Sequence, residues 1–328
     1  MGSIEIIIPV KGACIWFETA LQSLAGQTRK ADCITIIDDG LLEAEKTTLV
    51  CQKLFGGSCR LIKNRGHGIS DALNTGIRES GCDWIARMDA DDIAFPQRLE
   101  RQIAFLESPP GRDVVGCGTQ AEYINEAGKC IGHVRNPESW EEIQHTIVKK
   151  SCFVHPSLML RRETLLQTPY RKVFDGAEDF DLILRIAETG KIINLGSVLL
   201  KYRMHYLQSS YFNRPRQTAL QELAIRLHYI RCSGRADPVD LHPEFAEQFV
   251  RWRLSQRGYS GTRILLTMLR YLGLYLKGGD YSRILPMLKN IWDVGAHSHL
   301  SLDVGRRVIK DAGAAFVHDV TPFDRLNI

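Results

Sequence analysis

The chain has 328 residues, 44% hydrophobic and 24% charged, which is the balance of a folded globular protein with room for one large or two moderate cores and excludes a disordered or low-complexity chain. A formal net charge of +4 is too small to mark a nucleic-acid-binding surface. Nine cysteines, scattered singly and without a C-x-x-C pair, exclude a disulfide scaffold or zinc ribbon, and with no signal peptide at MGSIEIIIPV and no apolar run of about eighteen residues they predict a cytoplasmic protein with reduced thiols.

The first third alternates strands and helices. IEIIIPV (Ile4–Val10) is a β-branched run closed by proline and glycine, followed by helical spacing over Ile15–Ala25. CITIIDDG (33–40) predicts a second strand ending on two acids and a glycine, and LLEAEKTTLVCQKLF a second helix. CRLIKNRG is a third strand, and SDALNTGIRESG a helix opened by Ser70 or Asp71. DWIARMDADD is a fourth strand, and FPQRLERQIAFLES a helix with Pro96 in its first turn. Such alternation predicts βαβ units and an α/β domain with a mostly parallel central sheet. After about residue 113 the rhythm becomes mixed: two strands about the turn Asn125–Gly128, a helix over 138–149, a helix over 177–188 and a strand pair around INLGSVLLKYRMH. From residue 216 the pattern is helical, so residues 1–215 are expected to form the α/β domain and 216–328 a helical region.

Ligands of an open parallel sheet bind at the carboxyl ends of its strands. Pro9–Gly12, Asp38–Asp39 and Asp89–Asp92 fall at three such ends and are expected to share one edge. In an extended segment Asp89 and Asp91 aim two carboxylates at one point, a hard-oxygen pair suited to Mg²⁺ or Mn²⁺ bridged to a diphosphate. Asp92, before the next helix, is expected to serve that helix as a cap. The pattern lacks the glycine and distal glutamate of a calcium loop, and no G-x-G-x-x-G follows Val10, so a dinucleotide fold fits poorly. An aspartyl-phosphate phosphohydrolase would also use D-x-D, normally on the first strand.

IPVKG, IDDG, NRGHGISDALNTG, ARMDADDIAFPQRL, HPSLMLRRE, AEDFDLILRI and KYRMHYLQSS, in that order over residues 4 to 210, resemble the family 2 glycosyltransferases with the GT-A fold. ARMDADDIAFPQRLERQIAFLE is similar in particular to enzymes of bacterial surface-polysaccharide assembly. The resemblance implies transfer of one sugar from a nucleotide donor, a UDP-sugar, to a hydroxyl of a glycan or lipid-linked glycan, with Mn²⁺ or Mg²⁺ as cofactor and inversion at the anomeric carbon. It implies nucleotide contacts from Pro9, Asp38 or Asp39, Asn64 and Arg65, and donor and metal binding by Asp89 and Asp91. It further implies Asp179 as general base beside Glu178, and His205 near the diphosphate and metal; His155 is a weaker match.

Three features depart from that pattern. Leu41-Leu42 follow the Asp-Asp-Gly where a small hydroxyl residue is usual, and Lys11 stands where an aromatic residue is common. Gln248–Trp252 reproduces a Q-x-x-R-W of processive synthases in a helical stretch, where Trp252 is expected to pack. From Arg251 to Lys289 eight basic residues face one acid, Asp280, around the apolar run ILLTMLRYLGLYL. That composition suits either helices packing on the domain or a second subunit, or a helix on an anionic membrane surface. The competing functions are a D-x-D phosphohydrolase and a non-catalytic nucleotide-sugar sensor.

Overall fold

Residues 2–205 and 214–256 are described by the structure, a computed structural model. The elements run β1 (Ile4–Gly12), α1 (Phe17–Ala25), β2 (Cys33–Leu41), α2 (Ala44–Phe55), β3 (Cys59–Lys63), α3 (Ile69–Glu79), β4 (Trp84–Arg87), β5 (Ile93–Ala94) and α4 (Arg98–Glu107). They continue as β6 (Gly116–Ile124), β7 (Cys130–Val134), α5 (Trp140–Thr146), β8 (Met159–Arg161), α6 (Arg162–Gln167), α7 (Glu178–Ala187) and β9 (Ile192–Arg203). Three helices follow: α8 (Arg214–Cys232), α9 (Pro238–Leu241) and α10 (Glu244–Ser255).

The strands form one sheet in the order β3-β2-β1-β4-β8-β6-β9-β5, with β7 paired to β6. The half that carries the strand-end acids is wholly parallel, from β3 to β4. Beyond β4 the directions are mixed: β8 runs antiparallel to β4 and β6, and β9 lies parallel to β6. β1 is buried on both faces. Ile4, Ile6, Ile8 and Val10 join Phe17, Leu21, Leu99 and Ile103 of α1 and α4, whereas Ile7 points to Leu73 and Ile77 of α3. Period-two alternation with apolar residues on both sides is what a strand covered by helices above and below requires. Leu182, Leu184 and Ile186 of α7 meet Leu220, Leu223 and Leu227 of α8 within the same core as Ile7.

Pro9 has a topological consequence. Odd residues of β1 face β4, since Met88 N–H donates to the Ile7 carbonyl at 3.2 Å and pairing ends at Ile7–Arg87. Residue 9 would donate the next rung of this ladder, and proline has no N–H to give. The ladder stops there, and the chain beyond Arg87 is released into the aspartate-bearing loop.

Several expectations are corrected. α3 opens on Gly68 (φ 91°), and neither Ser70 nor Asp71 caps it. A side chain at Gly68 would be strained by its φ and would meet Asp175 Oδ2 at 2.3 Å. α4 begins at Arg98, so Pro96 lies outside its first turn. IINLGSVLLKYR is a single twelve-residue strand, not a pair, with irregular register opposite Thr119–Ala121. Trp252 is 52% exposed, touching Phe249 rather than the core. The helical segments expected beyond residue 256, with most of the basic run, lie outside the described residues.

Candidate active site

The site is assembled from loops at the carboxyl edge of the parallel strands. At the end of β2, Asp38 Oδ1 accepts the Gly40 and Leu41 N–H groups at 2.9 and 2.6 Å, fixing the turn. Asp39 reaches the next strand end: its carboxylate accepts from Asn64 Nδ2 at 2.7 Å and from Gly68 N–H at 3.1 Å. Asn64 in turn accepts from Gly66 N–H at 3.1 Å. The Asn64–Gly68 loop is thus fastened to Asp39. Arg65 is different, because its exposed guanidinium turns away to pair with Glu79.

After β4 the chain turns, so Asp89 and Asp91 do not converge through strand alternation as the sequence suggests. They converge through the turn, and Asp92 joins them: one carboxylate oxygen from each of the three lies within 4.8 Å of the others. Asp89 is held by Arg87, whose Nη2 is 2.5 Å from its Oδ1. Asp91 Oδ2 is 2.7 Å from His205 Nε2, at the end of β9. Asp92 caps no helix. It is buried, and its Oδ1 accepts the backbone N–H of Arg203 at 2.9 Å.

Burial raises the Asp92 carboxyl well above its ordinary range, and the charges of Asp91 and Asp89 add to the rise. Asp89 is also raised, by burial first, while Arg87 pulls the other way. Asp92 Oδ2 and His205 Nδ1 are buried without a hydrogen-bond partner among the described residues. Crowded carboxylates with orphaned lone pairs and an adjacent imidazole fit a divalent cation of the Mg²⁺ or Mn²⁺ kind.

Glu178 and Asp179 open α7 on the same side of the sheet. Glu178 Oε2 accepts Gly176 N–H and Asp179 Oδ1 accepts Phe180 N–H, both at 2.7 Å. Burial, followed by repulsion from Asp179, pushes Glu178 up to about 8. Asp179 is raised by burial and lowered in part by Arg87, and its charge is felt at Asp89, so the two acidic groups share one electrostatic field. His155 lies beneath: a small cavity bounded by Asp179, Phe153 and Leu158 also touches it. Its Nε2 is 2.8 Å from the Tyr170 hydroxyl, and burial with nearby Arg87 drives its pKa well down, so it stands as a neutral structural residue.

Sequence reasoning passed over Trp16, Arg87 and Arg203. Arg203 is buried, and its Nε donates to the Asp91 carbonyl at 2.8 Å while Nη1 donates to the Asn125 and Glu126 carbonyls at 3.0 Å each. Its position two residues before His205 at a strand end was the available signal.

Known proteins resemble this chain in sequence and in fold. The sequence model described as glycosyl transferase family 2 matches residues 5–168. An uncharacterized glycosyltransferase of Haemophilus influenzae is 31% identical over 187 residues, 56% of this chain and 68% of that protein. The amylovoran biosynthesis glycosyltransferase AmsE of Erwinia amylovora is 32% identical over 189 residues, 57% of this chain and 70% of its own. The O-antigen biosynthesis glycosyltransferase WbnJ of Escherichia coli is 37% identical over 141 residues, 42% of this chain, and the match spans about half of that relative (54%). In three dimensions, S. aureus TarS 1–349 in complex with UDP-GlcNAc aligns with a TM-score of 0.57 at 13% identity, covering 89% of this chain and 92% of that one. A Pyrobaculum calidifontis mannosyltransferase in complex with GDP-Man and Mn²⁺ aligns at 0.52 and 14% identity, covering 98% and 88%. With the family signature spanning the first four strands and their acidic ends, the chain belongs to glycosyl transferase family 2 and has the GT-A fold.

Proposed function

We propose that the protein transfers a single hexose, with inversion, from a nucleoside diphosphate sugar, a UDP-sugar, to a hydroxyl of a glycan or lipid-linked glycan in surface-polysaccharide assembly. The observation that carries this reading is the convergence of Asp89, Asp91 and Asp92 at the strand edge, with His205 on Asp91 and Asp179 within electrostatic reach. The nature of the AmsE and WbnJ relatives supports the polysaccharide setting.

In this reading Asp89, Asp91 and His205 hold Mn²⁺ or Mg²⁺, which when bound offsets charge on the departing diphosphate. Asp38 or Asp39 accepts hydrogen bonds from the base or ribose, and Pro9, Asn64 and Arg65 line the nucleotide side. Asp179 takes the proton of the acceptor hydroxyl as that oxygen bonds to the anomeric carbon. The bond from that carbon to the diphosphate oxygen breaks on the opposite face, so configuration inverts. Burial raises both Glu178 and Asp179, so the two carboxyls titrate as one pair with proton affinity above that of free carboxylates.

Residues 1–215 carry this chemistry, and the region from 216 onward serves packing, association between copies or contact with the inner membrane surface in the cytoplasm. Among the described residues no helix is long and apolar enough to cross a membrane. A phosphohydrolase fits less well, since β1 ends in Pro-Val-Lys-Gly and the aspartates follow β4.

A panel of nucleotide sugars screened by thermal shift with Mn²⁺ tests the reading. Ligands that bind the native state raise its melting temperature. A UDP-sugar is expected to stabilise the wild type in a Mn²⁺-dependent way and Asp91→Asn much less. Mn²⁺-independent shifts, equal in both, would contradict it.

A further inference from the structure

Buried His205 packs against Trp16, a half-buried residue of the loop after β1. The two rings lie 4.7 Å apart between centroids at 41°. The indole also receives the Arg203 guanidinium, at 5.1 Å from its ring centroid. Arg203 closes β9 and His205 follows two residues later, and Trp16 contacts both. The indole itself is anchored, its Nε1–H donating to the Glu126 carbonyl at 3.0 Å, the same carbonyl that accepts from Arg203 Nη1.

A histidine that holds a metal usually has its second ring nitrogen tied by a hydrogen bond, and that tie sets the ring's orientation. Here Nε2 meets Asp91 at 2.7 Å, while Nδ1 is buried with no hydrogen-bond partner among the described residues. Stacking is therefore what remains to orient the imidazole. We propose that Trp16 is a positioning residue for the cation site, substituting ring contact for the missing hydrogen bond and keeping His205 on Asp91.

This inference rests on the reading of His205 as a residue that helps hold the cation. The test measures Mn²⁺ affinity from the electron paramagnetic resonance signal of free Mn²⁺, with neither donor nor acceptor present. Wild type, Trp16→Leu, Trp16→Phe, His205→Ala and the Trp16→Leu/His205→Ala double variant are compared, with melting temperatures taken in the absence of Mn²⁺. Trp16→Leu keeps apolar volume and loses the ring; it is expected to weaken Mn²⁺ about tenfold. Trp16→Phe keeps a ring and is expected to retain most of the affinity. The double variant is expected to bind no more weakly than His205→Ala, because both changes disable one interaction. Unchanged affinity in Trp16→Leu beside a weakened His205→Ala overturns the role of Trp16 alone, as does full additivity of the two losses. Unchanged affinity in His205→Ala overturns the His205 reading and this inference with it.

Discussion

His205 Nε2 and Asp91 Oδ2 stand 2.7 Å apart although 114 residues separate them in the chain. The contact joins the end of β9 to the loop after β4, and Arg203 repeats the connection through its hydrogen bonds to Asp91 and Asp92. The first prediction follows from that junction. Asp91→Asn and His205→Ala are each expected to lower Mn²⁺ affinity by at least about tenfold, with the melting temperature in chelator little changed for His205→Ala. Isothermal titration with Mn²⁺ measures it.

The second prediction concerns the base. Asp179→Asn retains the shape of the side chain and its acceptor oxygen for Phe180, but it cannot take a proton. Turnover is expected to fall by about 10²- to 10⁴-fold, with donor affinity within about twofold of wild type. Steady-state rates beside donor titrations separate the two quantities.

The third prediction is a pH dependence of stability. The Glu178 carboxyl, ordinarily near 4.5, is pushed up to about 8 in the folded protein by burial and by Asp179. Between these values the folded state holds a proton that the unfolded state has released. Stability therefore falls as pH rises from about 4.5 to 8, with a contribution of at most about 1.4 kcal/mol per pH unit. Glu178→Gln removes that contribution. Denaturation midpoints at pH 5 and pH 8 are expected to differ less in the variant than in the wild type.

A fourth prediction lies in the packing of the helices. Asp181 is fully buried between Arg171 and Arg185, and Arg171 Nη1 also sits 2.9 Å from both Asp237 and Asp240. This network ties α7 to the segment around α9. Asp181→Ala removes the carboxylate paired with Arg185, while Arg171 keeps Asp237 and Asp240, and is expected to cost about 3 kcal/mol, read from urea denaturation.

The parallel half of the sheet was readable because each strand is a short β-branched run and each helix an amphipathic one, so their alternation survives without tertiary knowledge. The antiparallel half was less so. β5 has two residues and exists only through pairing with Lys201 and Leu200. Gly196 reads as a turn, yet β9 runs through it because irregular register against β6 absorbs the change. The acids at strand ends were legible as a group. Their individual partners are long-range: Asp92 looks like a helix cap until Arg203 is placed beside it, and the pairing of Arg65 with Glu79 has no signal in the sequence. Trp16 gave no sequence signal, since only the fold brings it against His205.

The central claim is that the edge built from Asp89, Asp91, His205 and Asp179 performs metal-assisted sugar transfer. The most direct measurement is nucleoside diphosphate release from a UDP-sugar panel with a glycan acceptor, for wild type with Mn²⁺, wild type with chelator, and Asp179→Asn with Mn²⁺. Release confined to the first of the three is the expected result. Equal release in chelator or in the Asp179 variant would contradict the account.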